Sequence, residues 1–535
     1  MMNAPLLMAQ MLERAEKYFS KKEVVSRTDG GIHRLTYKEI GQRTRRLASS
    51  LKGLGVQRGD RVGTLSWNHH RHLEAYFAVP CSGAVLHTIN IRLAPQQIAY
   101  IINHAENKVL LVDADIWPLI EAIKNEIPTV TAFIIMTDKK ELPETVLPVY
   151  HYEELLEKGD PAFTFARDLD ENAPAGMCYT SATTGNPKGV VYTHRGIVLH
   201  SMALGLADSA AVSEKDTMMP IVPMFHVNAW GLPFASVWFG TKLVLPGQYF
   251  TPKLIAELIQ QEKVTLSAGV PTIWLGLLKE IEENTYDLSS LRGLICGGAA
   301  APKGMIRSFE KKHNIPFMHA YGMTETSPVV LVSTIKSYQE DLPEEEILEL
   351  KAKQGVLIPG LEIKVVGPDG EVKADGREMG ELLIRGPWIA SEYYKDERTG
   401  DSFKDGWLHT GDVVTIDEEG FVKIVDRTKD LIKSGGEWIS SVDLENAIMA
   451  HDAVFEAAVI AIPDERWQER PAACVVLKEN HRAEKEDIIE FLKPQFAKWW
   501  IPDEVIFMDE IPKTSVGKFL KRTLREQAVN SLIQK

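Results

Sequence analysis

Cysteine is scarce and scattered in this chain. The four present, Cys81, Cys178, Cys296 and Cys474, never form a C-x-x-C pair. Neither a zinc site nor a dithiol redox site therefore has sequence support, and four thiols in 535 residues give no disulfide scaffold. A basic excess is lacking too. Asp and Glu number 74 against 60 Lys and Arg, a formal net charge of −14. That balance argues against general nucleic-acid binding, which needs a basic face. No apolar run approaches the length a membrane-spanning helix requires, although peripheral membrane contact stays open. The N-terminal MMNAPLLMAQMLERAEKYFSKK has no basic stretch ahead of its apolar part. It reads as an amphipathic first helix rather than a signal peptide, and the expected compartment is the cytoplasm.

The length predicts two or more domains with a large core. Short apolar runs at 61–66, 108–113, 131–136, 241–246 and 291–298 alternate with amphipathic stretches such as RHLEAYFAVPCSG and PKLIAELIQQEK. This alternation predicts an α/β architecture with largely parallel sheets. From about residue 350 the texture changes to strands between Gly- and Asp-rich turns, GLEIKVVGPDGE, GELLIRGP and GFVKIVDR, which predicts a β-rich subdomain over about 350–427. Beyond 427 the pattern is mixed. SVDLENAIMAH, KEDIIEFLKPQFAK and the basic tail after Lys518 read as helices, and FEAAVIAIPD as a strand. The expected division is 1–427 and 428–535, the second part a small α+β unit.

The usual nucleoside-triphosphatase loop, G-x-x-x-x-G-K-[ST], is also missing. In its place residues 179–190 read YTSATTGNPKGV. Thr180, Ser181, Thr183 and Thr184 supply hydroxyls, Gly185 and Gly189 backbone freedom, and Lys188 a charge, a set that can wrap polyphosphate oxygens. On composition alone a polar surface turn accounts for it equally well. A second stretch, HAYGMTETSP (319–328), offers the flat face of Tyr321, a turn at Gly322, the Thr324 hydroxyl and the Glu325 carboxylate. A carboxylate beside phosphates can hold Mg²⁺, which needs few protein ligands; the structural alternative is a helix cap. A third, WLHTGDVV (407–414), sets Asp412 at a strand end, where a ribose hydroxyl can be bound.

Taken in order, YTSATTGNPKG, CGGAAAP (296–302), YGMTETSP, the HTGD element, DRTKDLIKSGGEWIS (426–440) and IPKTSVGK (511–518) resemble the adenylate-forming superfamily of acyl-CoA synthetases, peptide-synthetase adenylation domains and luciferase-type enzymes. The resemblance covers nearly the whole chain. VPMFHVNAWGLPF (222–234) and KSGGEWISSVDLEN (433–446) are most similar to bacterial medium- and long-chain fatty acyl-CoA synthetases. It implies a two-step ligase. The acid is activated as acyl-AMP with loss of pyrophosphate, and the acyl group then passes to CoA with loss of AMP.

By the same resemblance, the opening loop grips ATP phosphates, and Thr180 and Glu325 sit by Mg²⁺. Gly298, Ala299 and Ala300 lie beside adenine with Tyr321 stacking on it, Gly322 and Thr324 lie close by, and Asp412 binds ribose with Arg427 as companion. Lys518 bridges the acid and the α-phosphate. Lys429 marks the hinge of a mobile C-terminal lid. Lys433 and Trp438 lie near the nucleotide, and Ser434, Gly435 and Gly436 border CoA. His226 takes the carboxylate end of the acid and Trp230 gates its tunnel, with Gly298 and Gly322 beside the substrate. The small Gly231 and Ala235 are expected to leave room for the chain. A homodimer is implied by the resemblance alone.

Read without the family, Lys518 is one solvated charge among Lys521, Arg522 and Arg525, and the 222–234 segment, apolar all round, is helical core. The chain departs from the family at Ala182, where a glycine is usual; if that position needs a positive φ, strain of about 1 kcal/mol follows. GLGVQRG (53–59) fails as a dinucleotide fingerprint because Arg58 occupies the third glycine position. His69, His70, His72 and Glu74 match no zinc spacing and are expected at a helix start on the surface. Rival readings remain open: an aryl, branched or sulfur-containing short-acid CoA ligase, an enzyme loading a separate carrier protein, a luciferase-like oxygenase, or a non-catalytic nucleotide binder.

Overall fold

The computed structural model describes residues 2–180, 186–435, 437–464, 466–513 and 519–533. Two large sheets are built as the alternating pattern predicts. One has seven strands in the order 149–151, 132–136, 107–113, 61–65, 85–88, 174–179, 189–193. All neighbours are parallel except the last pair. The other has nine, with a parallel centre running from Phe317–Gly322 through Gly293–Cys296, Leu266–Gly269, Thr217–Pro220 and Lys242–Leu245 to Glu23–Thr28. Central strands such as VLHT (85–88) and LSAG (266–269) are buried at every position, as parallel strands covered on both faces must be.

Helices cover these faces. Tyr37–Gly53 starts at a capping box in which the Thr36 hydroxyl accepts from Glu39 N and the Glu39 carboxylate accepts from Thr36 N. The predicted N-terminal helix is Ala9–Tyr18, burying Ala9, Met11, Leu12 and Ala15. One apolar core joins side chains from both large sheets, and each sheet carries a further core on its other face.

The β-rich stretch forms a six-stranded sheet ending in Val422–Arg427. The next strand, Ile432–Ser434, belongs to a five-stranded sheet of the small C-terminal domain, with long partners Val454–Asp464 and Gln468–Leu477. Helices Ser441–Met449, Lys485–Leu492 and Lys521–Ile533 accompany that sheet, so the domain is α+β. The helix expected over 485–498 stops at Leu492, two residues before Pro494. Proline cannot donate to the ladder and disfavours helical geometry at the residue before it. All four cysteines are free and buried.

Candidate active site

Strand order in the nine-stranded sheet reverses at Thr217–Pro220, whose neighbours are Lys242–Leu245 on one side and Leu266–Gly269 on the other. In open α/β sheets ligands bind outside the carboxyl ends of strands at such a switch point. The candidate residues leave those ends. His226, Trp230 and Gly231 follow Thr217–Pro220; Gly298, Ala299 and Ala300 follow Gly293–Cys296; Tyr321, Gly322, Thr324 and Glu325 close Phe317–Gly322. From the seven-stranded sheet, the end of Pro174–Tyr179 delivers Thr180.

Asp412, Arg427 and Tyr321 meet there. Asp412 and Arg427 are cross-strand partners, and the guanidinium Nε lies 3.2 Å from Oδ1. The Tyr321 hydroxyl donates to Oδ2 at 2.6 Å. Asp412 is buried; its charge raises the Arg427 pKa, while burial and that same carboxylate push the Tyr321 phenol well up. Gly322 admits no side chain, because a Cβ would lie 2.0 Å from the Pro328 carbonyl oxygen. Gly298 has φ +83° and stands exposed with Ala299 at the strand end, which leaves backbone open to a flat ligand. The Ala299 carbonyl is bonded by buried His319 at 3.3 Å.

Glu325 is buried, and its Oε1 accepts from the Tyr393 hydroxyl at 2.7 Å. The Lys188 ammonium sits 3.9 Å from the centre of the Tyr393 ring, and burial lowers its pKa. Thr180 is tied to Lys188 by backbone and side chain: Thr180 N donates to Lys188 O at 2.9 Å, and Lys188 N to the Thr180 hydroxyl at 3.3 Å. Tyr192 donates to Thr324 O at 2.9 Å, joining the loop's returning strand to the Glu325 turn. No three His, Cys, Asp or Glu side chains among the described residues converge as a metal cage. A Mg²⁺ that shares one carboxylate and one hydroxyl with nucleotide phosphates needs none, so the donor set fits that ion. Ser181, Thr183, Thr184 and Gly185, with the Ala182 departure, lie outside the described residues, as do Gly436 and Lys518.

The apolar segment 222–234 is not one helix. Val227, Asn228, Ala229, Trp230 and Gly231 all have positive φ, between 46° and 73°, and only from Leu232 does a right-handed helix run to Phe239. A left-handed turn costs L-residues about 1–2 kcal/mol each, so its surroundings must hold it. Ala229 N closes it by donating to Pro223 O and His226 O at 3.2 Å each, and Asn68, in the loop after the Arg61–Leu65 strand, pins the segment leading into it, donating to Pro220 O and Val222 O and accepting from Met224 N at 2.7 Å. Asn228 meets the Cys178 thiol at 3.3 Å.

Trp230 lies against the Gly297 backbone, where a Cβ would come within 3.2 Å of its ring. With Leu204, Ile295, Met318, Ala320 and Val329 it lines an apolar cavity of about 10 Å³. The room expected beside Gly231 is occupied: a Cβ there would stand 2.7 Å from the His200 ring, so glycine serves close packing and the left-handed φ. Ala235 is fully buried, and His226 is half-buried at the start of the turn.

In the small domain, Ser434 and Gly435 sit on a hairpin latched by the 467–470 segment. Gly435 N donates to Trp467 O at 2.8 Å, Lys433 N to Glu469 Oε2 at 2.8 Å, and Arg470 Nη1 to the Ser434 hydroxyl at 3.0 Å. Trp438 is 41% exposed with the Lys433 ammonium 4.9 Å from its ring centre, so it is no core aromatic. Lys429 lies on the link between the two sheets, and burial lowers its pKa.

The histidine-rich stretch requires a correction. A helix does begin there, His70–Cys81 with His69 as cap, but inside the protein. His69 Nε2 is bonded to Asp113 at 2.8 Å, His72 to Thr64 and Trp67 O at 2.9 Å each, and Glu74 to Arg43 and Tyr152 at 2.6 Å each. Buried polar groups with partners are stable, and the partners of His69 and Glu74 are remote in sequence. Sequence reasoning also missed the 388–399 segment, whose Tyr393 touches both Glu325 and Lys188. Only its run of aromatic and charged residues, WIASEYYKDERT, gave any signal.

A large α/β domain that gathers its candidate groups at strand ends, joined to a small α+β domain, is the architecture of an adenylate-forming ligase, and its relatives bear this out. The chain belongs to the AMP-binding enzyme family: that family's model matches residues 12–394, and its C-terminal domain model matches 443–518. It is 52% identical to a long-chain-fatty-acid–CoA ligase of Thermus thermophilus, over 99% of this chain and 97% of that one. It is 43% identical to a 3-methylmercaptopropionyl-CoA ligase of Ruegeria lacuscaerulensis, over 99% of each. A medium-chain-fatty-acid–CoA ligase of Ectopseudomonas oleovorans is 42% identical, over 100% of this chain and 98% of that one. Among solved structures, the anthranilate CoA ligase AuaEII in complex with anthranoyl-AMP superposes with a TM-score of 0.89 at 25% identity, covering 99% of each chain.

Proposed function

We propose that this ligase activates a straight medium- or long-chain fatty acid and transfers the acyl group to CoA. In the first step a carboxylate oxygen bonds to the α-phosphorus of ATP, the bond from that phosphorus to its bridging oxygen breaks, and pyrophosphate leaves. Both partners are anions, so the step needs preorganised cationic groups. Lys188 and the loop hydroxyls hold the outer phosphates, Lys518 bridges acid and α-phosphate, and Asp412 with Arg427 holds the ribose beside Gly298–Ala300. The Tyr321 ring takes the adenine face, and His226 the acid's carboxylate end. Glu325 and Thr180 would hold a Mg²⁺, which would supply charge neutralisation at the phosphates. In the second step the CoA sulfur bonds to the acyl carbon, the carbon–oxygen bond to AMP breaks, and AMP leaves.

Lys429 is the hinge between these steps, with residues 428–535 moving as a lid that presents Lys518 first and then Ser434, Gly435 and Gly436 to CoA, with Lys433 and Trp438 alongside. A homodimer in the cytoplasm completes the reading. The observation that carries it is the apolar cavity bounded by Trp230 beside the strand ends that bear Glu325 and Tyr321. At about 10 Å³ it admits roughly one water, so Trp230 must swing aside for an acyl chain. The rival reading, a short sulfur-containing acid, rests on the name of the Ruegeria relative. ATP–pyrophosphate exchange separates them. Exchange that peaks with straight-chain acids of eight or more carbons supports the fatty-acid reading, and a peak with short substituted acids favours its rival.

A further inference from the structure

We propose that Tyr393 is a positioning residue for adenylation: its hydroxyl orients the Glu325 carboxylate toward the metal, and its ring holds the Lys188 ammonium. This rests on the metal and phosphate roles given above to Glu325 and Lys188.

One buried side chain contacts both groups, at 2.7 Å by the hydroxyl and 3.9 Å from ring centre to ammonium. Its own backbone is fixed, since Tyr393 N donates to the Thr399 hydroxyl at 3.0 Å, which in turn donates to Asp396 O at 2.9 Å. The same segment grips both functional elements. Ala390 N donates to Glu325 O at 2.8 Å, Tyr394 N to Gly189 O at 2.8 Å, and Arg398 Nη2 to Asn186 O at 3.1 Å. Relative placement of the carboxylate turn and the phosphate loop is therefore set through residues 390–399.

A carboxylate rotates about its last bond unless one oxygen is held. Here Oε1 is held by the Tyr393 hydroxyl, which fixes the plane of the carboxylate. The ring face attracts the Lys188 cation without neutralising it, so the charge remains available to a phosphate.

Two substitutions separate the two contributions. Tyr393→Phe removes the hydroxyl and keeps the ring, while Tyr393→Leu removes both. Binding of Mn²⁺ with α,β-methylene-ATP is read by electron paramagnetic resonance, alongside the Mg²⁺ and ATP dependence of acyl-AMP formation. Turnover of presynthesised acyl-AMP with CoA serves as the second half-reaction.

Tyr393→Phe is expected to weaken Mn²⁺ about tenfold and to raise the Mg²⁺ requirement equally, as loss of an outer-shell partner does, with the KM for ATP at saturating metal unchanged. Tyr393→Leu is expected to raise the KM for ATP as well. Both variants keep wild-type turnover of acyl-AMP. Unchanged Mn²⁺ affinity in Tyr393→Phe, or equal losses in the two half-reactions, overturns the proposal while wild-type acyl-AMP formation leaves the underlying reading intact. A wild-type enzyme that forms no acyl-AMP overturns both.

Discussion

The Tyr321 hydroxyl donates to Asp412 Oδ2 at 2.6 Å across 91 residues of sequence. It joins the end of a parallel strand to the Trp407–Ile416 strand of the β-rich sheet, so the ring expected against adenine and the carboxylate expected on ribose form one unit. Tyr321→Phe and Asp412→Asn are expected each to raise the KM for ATP, Asp412→Asn by about tenfold or more, the size of a charge-assisted hydrogen bond lost. The double variant should lose less than the sum, since the two groups touch. Strict additivity would show that they act separately.

Trp230 stands on a left-handed turn against Gly297. Trp230→Ala opens the cavity without any side-chain movement. The KM for long-chain acids should shift relative to that for short acids by about tenfold, within what a few methylenes in a pocket are worth, with the KM for ATP unaffected. Identical chain-length profiles in variant and wild type would remove Trp230 from the acyl path.

These two groups were legible in the sequence because each sits in a short contiguous motif. Strands and helices were legible for the same reason: periodicity is local. What escaped detection depends on remote partners. The buried His69–Asp113 pair looked like a surface helix start because Asp113 lies 44 residues on. The left-handed turn at 227–231 looked like core helix because apolar composition carries no sign of φ, and Asn68, which pins the segment leading into it, lies far back in the chain after the Arg61–Leu65 strand. Tyr393 sits in no motif, and only the fold brings it to Glu325 and Lys188.

Acid should destabilise the fold through its buried histidines. Burial lowers the pKa of His72, His87 and His194 to about 4, and that of His200 to about 3. A depressed histidine binds its proton in the unfolded chain first. The stability it contributes is complete above the unfolded pKa of about 6.5 and is lost as pH falls toward the folded value. Each contributes roughly 1.4 kcal/mol per pH unit within that window. Urea unfolding should therefore weaken steeply from pH 7 to pH 5, and His87→Gln should show a shallower slope. A flat profile over that range would contradict the burial of these rings.

Arg470 latches the hairpin proposed to face CoA to the segment that follows the Lys485–Leu492 helix, bonding Ser434, Ile501 O at 3.0 Å and Asp503 at 2.8 Å. Arg470→Ala should cost stability of about 2 kcal/mol and slow the thioester step more than acyl-AMP formation. A larger loss in adenylation would mean that the hairpin serves the first step.

AMP release with ATP, Mg²⁺ and a graded series of carboxylic acids, each with and without CoA, tests the central claim most directly, with Lys518→Ala as the paired variant. The account predicts CoA-dependent release that peaks with medium or long straight-chain acids, and loss of acyl-AMP formation in Lys518→Ala with ATP binding retained. AMP release without any thioester, or full acyl-AMP formation in Lys518→Ala, would contradict it.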